Sequence, residues 1–190
     1  MRPSPDANEP RTSPARRFPS RATAGGFSRV STSMTMPLCS TLWKHPMVLP
    51  DVNVLVYAFR GDSPNHEPFR AWIDETVGSD RAFAVSELVL SGLVRILTHP
   101  RIYASPESTK EAVDWVSRLR SQPNCVVVVP GARHWGIFAD LCERVEAKGN
   151  LVADAYLAAL AIESGSELVT ADRGFSRFPG LRWRHPLHTA

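Results

Sequence analysis

The chain has 190 residues, 43% of them hydrophobic and 22% charged, a balance that suits one globular domain plus a tail and excludes a wholly disordered chain. No apolar run reaches the roughly 18 residues needed to cross a bilayer, so no membrane partner is expected. The formal charge is +3, but residues 1–46 carry seven basic side chains (Arg2, Arg11, Arg16, Arg17, Arg21, Arg29, Lys44) against Asp6 and Glu9, which leaves residues 47–190 at −2; the basic balance is therefore no argument that the folded part binds nucleic acid.

Residues 1–46 are rich in Ser, Arg, Pro and Thr and hold no period of two or of 3.6. They are expected to be a disordered basic tail, with a transit peptide as one alternative and an upstream start ahead of a true Met47 as the favoured one. The folded domain is expected over 47–190. Met47 to Pro50 reads as a first strand and Val54 to Phe59 as a short buried helix. Asn65 to Val77 reads as a helix with Phe69, Trp72, Ile73 and Thr76 on one side. Ala82 to Val85 is a short strand, with Ser86 capping a helix from Glu87 to about Thr98. Ser108 to Arg120 places Val113, Val116 and Leu119 in register.

Four consecutive β-branched residues, Val126 to Val129, predict a strand buried on both faces, ended by Pro130. Ala132 to Ala147 is amphipathic through Trp135, Phe138, Cys142 and Val145, and Asn150 is expected to cap a helix from Leu151 to Ser164. Leu168 to Thr170 is a further strand, and Leu181 to Arg184 a final edge strand. Short apolar runs alternating with helical ones predict an α/β domain with a mostly parallel central sheet. The cysteines Cys39, Cys125 and Cys142 have no disulfide-framework or CxxC spacing; Cys125 and Cys142 read as small core residues, and a reducing cytoplasm is the expected compartment.

Three aspartates fall where such folds place chemistry, beyond the carboxyl ends of strands. Asp51 follows the first strand, Asp172 follows the strand ending at Thr170, and Asp154 lies early in a helix whose inward residues Leu157, Ala158 and Ala161 are apolar or small. Taken singly, Asp51 reads equally as a helix cap and Asp172 as a turn residue. Asp154 is harder to dismiss, since a charge on an apolar helix face is disfavoured unless something pairs with it. Two such charges about 4 Å apart repel by roughly 4 kcal/mol at an effective dielectric of 20, and a divalent cation reverses that sign. Oxygen-only ligands suit Mg²⁺ or Mn²⁺ rather than Zn²⁺. His66, His99, His134, His185 and His188 lack ligand spacing and read as surface or loop residues.

Three blocks, Leu49-Pro50-Asp51-Val52-Asn53-Val54-Leu55, Gly149-Asn150-Leu151-Val152-Ala153-Asp154-Ala155 and Leu168-Val169-Thr170-Ala171-Asp172-Arg173-Gly174-Phe175, resemble in order and spacing the motifs of PIN domains, specifically the VapC-type toxins of bacterial toxin–antitoxin pairs. The resemblance spans about Met47 to Pro186. It implies a three-layer α/β/α fold and an endoribonuclease that binds Mg²⁺ or Mn²⁺ through Asp51, Asp154 and Asp172. It also implies a homodimer neutralised by a small antitoxin. Asn53 and Thr170 match positions that hold the carboxylates by hydrogen bonding. The ion would activate water against an RNA phosphodiester.

One departure stands out. The family's further acid, a glutamate on the helix after the second strand, falls near Gly92 here. Glu87 is five residues earlier, about 140° round the helix and roughly 7.5 Å along it, and reads as a helix-start carboxylate favoured by the macrodipole. Arg95, three residues past Gly92, is a candidate phosphate contact, with Arg101, Arg133 and Arg173 behind it. Two rivals remain: a PIN-fold module that docks RNA or antitoxin without cutting, and an aspartyl phosphatase of haloacid-dehalogenase type. The latter expects an aspartate where Asn53 stands.

Overall fold

Strands and helices alternate along residues 46–188, the part of the chain that the computed structural model describes. The order is β1 (Val48–Pro50), α1 (Val52–Phe59), α2 (His66–Gly78), β2 (Phe83–Ser86), α3 (Glu87–Leu97), α4 (Thr109–Arg120), β3 (Cys125–Val128), α5 (His134–Arg144), α6 (Asn150–Ser164), β4 (Glu167–Val169), a 3-10 helix (Arg173–Arg177) and β5 (Trp183–Arg184). The expected tail, residues 1–46, lies outside the described residues except for Pro46. No helix among the described residues is long and apolar enough to cross a membrane.

The five strands form one parallel sheet in the order β3-β2-β1-β4-β5. Helices α1 to α4 pack in succession, α1 on α2 and α3, and α3 on α4, while α5 and α6 pair with each other. Right-handed crossovers explain that division: the chain steps one way across the sheet from β1 to β3, then jumps back to β4. Helices of the outward steps cover one face and those of the return cover the other, which gives the α/β/α layering. The order in which strands are added reverses at the parallel neighbours β1 and β4, whose pairing is Leu49 with Leu168 and Pro50 with Val169.

Local chemistry fixes the helix ends. Ser108 and Glu111 form a reciprocal capping box at α4, satisfying two orphan donors at once. Gly149 (φ +58°) and Gly165 (φ +68°) bracket α6, each in the positive-φ region that costs glycine little. Gly149 therefore occupies the cap position expected for Asn150, which is already helical. Ser86 ends β2 in extended conformation and makes no side-chain cap bond to α3.

The buried faces depart from expectation in three helices or strands. On α4 the inward stripe is Ala112, Trp115 and Leu119, with Val113 exposed. Trp115 lies edge-on to Phe59 at 5.4 Å, and truncating so large a buried side chain costs about 3–5 kcal/mol. On α5 Trp135 is 71% exposed, while His134, expected at the surface, is 3% exposed. Its Nε2 bonds to the Tyr156 carbonyl at 3.1 Å and its ring meets Tyr156 at 4.3 Å, which ties α5 to α6. Strand β3 lies at an edge of the sheet, with Val126 and Val129 exposed rather than buried on both faces. Cys125 and Cys142 are free and half-buried against the core.

Candidate metal centre at the β1–β4 junction

Ligands of open parallel sheets bind where strand order reverses, beyond the carboxyl ends of the strands. Here that point is the junction of β1 and β4, and Asp51 and Thr170 are the next residues on each. The Asp51 N–H donates to the Val169 carbonyl at 2.8 Å, which continues the strand register one step and sets the side chain at the sheet's edge. Asp51 is 5% exposed. The Val52 N–H donates to Oδ1 at 2.6 Å, so the cap reading and the site reading describe the same side chain.

The other oxygen is held by the two expected supporting residues. Asn53 Nδ2 donates to Asp51 Oδ2 at 2.8 Å and the Thr170 hydroxyl donates to the same atom at 2.8 Å. Asn53 Nδ2 also reaches Thr170 Oγ1 at 3.0 Å, and Asn53 Oδ1 accepts from the Ala171 N–H at 3.1 Å. Both ends of the Asn53 amide are thus spent on joining the two strands, a role an aspartate could not fill in the same way. That weighs against the aspartyl-phosphatase reading, which needs an acid there. Thr170 Oγ1 further accepts from the Asp172 N–H at 3.0 Å, and the Gly174 N–H donates to Asp172 Oδ1 at 2.6 Å. One lattice therefore carries the orientation of Asp51 through Asn53 and Thr170 to Asp172.

Burial pushes the Asp51 carboxyl up from 3.8 to about 6, against the hydrogen bonds from Thr170 and Val52, and the charges of Asp154 and Asp172 push it the same way. Asp154, half-buried in the second turn of α6, is raised first by burial and then by Asp172, while Arg177 opposes the shift. Three acids from three separate elements thus feel one another's charge. A buried carboxylate beside two others is the setting that a hard cation relieves, and the all-oxygen donor set fits Mg²⁺ or Mn²⁺. As the side chains stand, no group of three or more His, Cys, Asp or Glu among the described residues is arranged to hold an ion.

Glu87 lies outside this cluster. It is exposed and pairs with Arg120 of α4 at 3.2 Å. Gly92 lies nearer: a Cβ there would meet Val52 Cγ2 at 3.7 Å, beside the residue that follows Asp51. Arg95 is exposed and forms no ion pair among the described residues, and Arg133 is committed to the Glu163 carbonyl. The cation that acts on Asp154 is Arg177, which sequence reading passed over. Its signal was the spacing Asp172-x-x-x-x-Arg177, in which Asp172 caps and Arg177 ends a single five-residue 3-10 helix.

The PIN-domain family pattern matches residues 48–181. Ribonuclease VapC43 of Mycobacterium tuberculosis is 42% identical over 141 residues, covering 74% of this chain and 96% of the relative. Ribonuclease VapC25 of the same organism is 39% identical over 140 residues, covering 74% and 99%. The fold is similar to that of VapBC2 from Rickettsia felis, solved bound to a promoter DNA fragment, with a TM-score of 0.56 and 18% identity over 73% of this chain and 98% of that one. With the strand order, the placement of the three motif blocks and these matches in agreement, the chain belongs to the PIN-domain family, of VapC type.

Proposed function

We propose that this chain is a Mg²⁺- or Mn²⁺-dependent endoribonuclease, the toxin of a type II toxin–antitoxin pair, in which Asp51, Asp154 and Asp172 hold the ion. The supporting observation is the Asp51–Asn53–Thr170 lattice at the β1–β4 junction, with two further acids near enough to raise the Asp51 carboxyl. The ribonuclease activity named for its relatives VapC43 and VapC25 is extended here to this chain. A small antitoxin and a second copy of the chain complete the reading.

A divalent ion held by Asp51, Asp154 and Asp172 would offset the charge of three carboxylates and would supply Lewis acidity for the activation of water. The chain's part is to hold its donors still. Asn53 and Thr170 fix Asp51 Oδ2 and so aim Oδ1, which keeps a lone pair beyond the one used by Val52. Gly174 fixes Asp172 Oδ1, leaving Oδ2 for a ligand. Asp154 stands on α6, so an ion held here would draw its donors from three separate elements. Such pre-ordering of ligands by their hydrogen-bond partners is worth about 10- to 100-fold in metal affinity.

Purified full-length protein is expected to cleave single-stranded RNA with Mg²⁺ or Mn²⁺ and to stop with EDTA or with Asp154→Ala. The glycine at position 92, where the family carries an acid, favours one other reading: a PIN fold that binds RNA or antitoxin without cutting. Metal-independent RNA binding with no product, across both ions, would establish that reading in place of the nuclease.

A further inference from the structure

A cluster of three carboxylates repels the polyanion it is meant to cut, so an approaching phosphate needs a cation beside the acids. Arg177 ends the same five-residue 3-10 helix that Asp172 begins. Its Nε donates to the Gly174 carbonyl at 2.9 Å, while the N–H of that same Gly174 donates to Asp172 Oδ1. One glycine thus gauges the distance between an acid and a guanidinium. A side chain at Gly174 would crowd the acid, since a Cβ would stand 2.9 Å from Asp172 Oδ1.

The pinning has a chemical consequence. With Nε committed to a backbone carbonyl, the edge formed by Nη1 and Nη2 remains for a bidentate partner. Arg177 is exposed and forms no ion pair among the described residues. Through the two backbone groups of Gly174 it is tied to the turn that holds Asp172, without being neutralised by that acid. Arg95, the cation expected from sequence, has no comparable tie to any of the three.

We propose that Arg177 binds an RNA backbone phosphate at the Asp154–Asp172 side of the site, orienting the chain for cleavage. This rests on the ribonuclease reading above. The test uses full-length protein carrying Asp154→Asn, which binds without cutting, and follows the anisotropy of a labelled single-stranded RNA oligonucleotide across a salt series. Adding Arg177→Ala is expected to weaken binding about tenfold and to lower the salt slope by about 0.7, the share of one phosphate contact on a single strand. Adding Arg177→Lys should restore the slope but not the full affinity, because the charge returns without the Gly174-pinned fork. Adding Arg95→Ala should change neither.

A purely structural Arg177 would lower the melting temperature and leave the salt slope alone. Unchanged affinity and slope in Arg177→Ala, with Arg177 wild type still cleaving in Mg²⁺, would overturn the assignment and leave the nuclease standing. Should Arg177→Ala fail to fold, Arg177→Lys decides: an unchanged affinity there overturns the proposal equally. Wild-type protein that neither binds nor cleaves RNA overturns both readings together.

Discussion

Asp51 allows a test that needs no substrate. Burial and its acidic neighbours push its carboxyl from 3.8 to about 6, so between those values the folded chain keeps a proton that the unfolded chain has released. The Asp51 contribution to the stability of the metal-free protein is therefore greatest below about pH 4, falls as pH rises to about 6, and levels off above. At about 1.4 kcal/mol per pH unit, the loss across that window is about 3 kcal/mol. Asp51→Asn keeps an acceptor for the Val52 N–H and removes the titration, at the cost of the acceptor that Asn53 and Thr170 share, about 1 kcal/mol. In EDTA above pH 7 the variant is expected to be more stable than wild type by about 1–2 kcal/mol. Urea unfolding between pH 4 and 8 measures both curves, and their difference isolates Asp51 from Asp154, which shifts in the same direction. Saturating Mg²⁺ should reverse the order near pH 7, because only the wild type gains full ion binding by mass action. A wild-type-minus-variant difference that stays flat with pH would refute the reasoning.

Other expectations can be checked in parallel. Glu87→Gln removes an exposed pair with Arg120 and should change stability by no more than about 0.5 kcal/mol by urea unfolding, with RNA cleavage nearly intact. Gly92→Glu finds ordinary contact at Val52 and should tighten Mn²⁺ binding about tenfold by calorimetry, since affinity follows ligand charge count. At Gly131, where the N–H donates to Glu163 Oε2 at 2.7 Å and a Cβ would stand 2.7 Å from Oε1, substitution by alanine should expel the Glu163 carboxylate. Gly131→Ala should then lower the melting temperature, and add nothing in a Glu163→Ala background. We also propose that residues 1–46 carry neither fold nor site; deleting them should leave the melting temperature and metal-dependent cleavage close to those of the full chain.

The candidate site was legible because its parts are encoded locally and repeat a spatial rule. An acid just past a strand, a second past another strand and a third early in an apolar helix are visible as residue types in sequence. Asn53 and Thr170 were found through the family pattern, and the lattice they form explains their chemistry. What resisted reading was whatever depends on neighbours in space. Val126 to Val129 have the stiffness of an interior strand, yet no residue among them records that β3 has a partner on one side only. Ala112, Trp115 and Leu119 form as good a stripe as Val113 and Val116, and the choice between them is made by Phe59 from α1. His134 looks like a loop residue until Tyr156 offers it a carbonyl and a ring. Arg177 was missed because its meaning lies in Gly174, whose two backbone groups face different partners.

The lattice that aims Asp51 joins residues 119 positions apart, Thr170 to Asp51. Closing so long a loop is entropically slow, and the return jump from β3 to β4 must come after the outward strands are available to receive it. A growing chain that has emerged only as far as α5 can hold most of its core but has neither Thr170 nor Asp172. Its Asp51 is then a capping residue and nothing more. On the proposed reading of Asp51, Asp154 and Asp172 as metal donors, a chain of this connectivity acquires the full set only when the last parallel strands dock, and stays inert through most of its own synthesis.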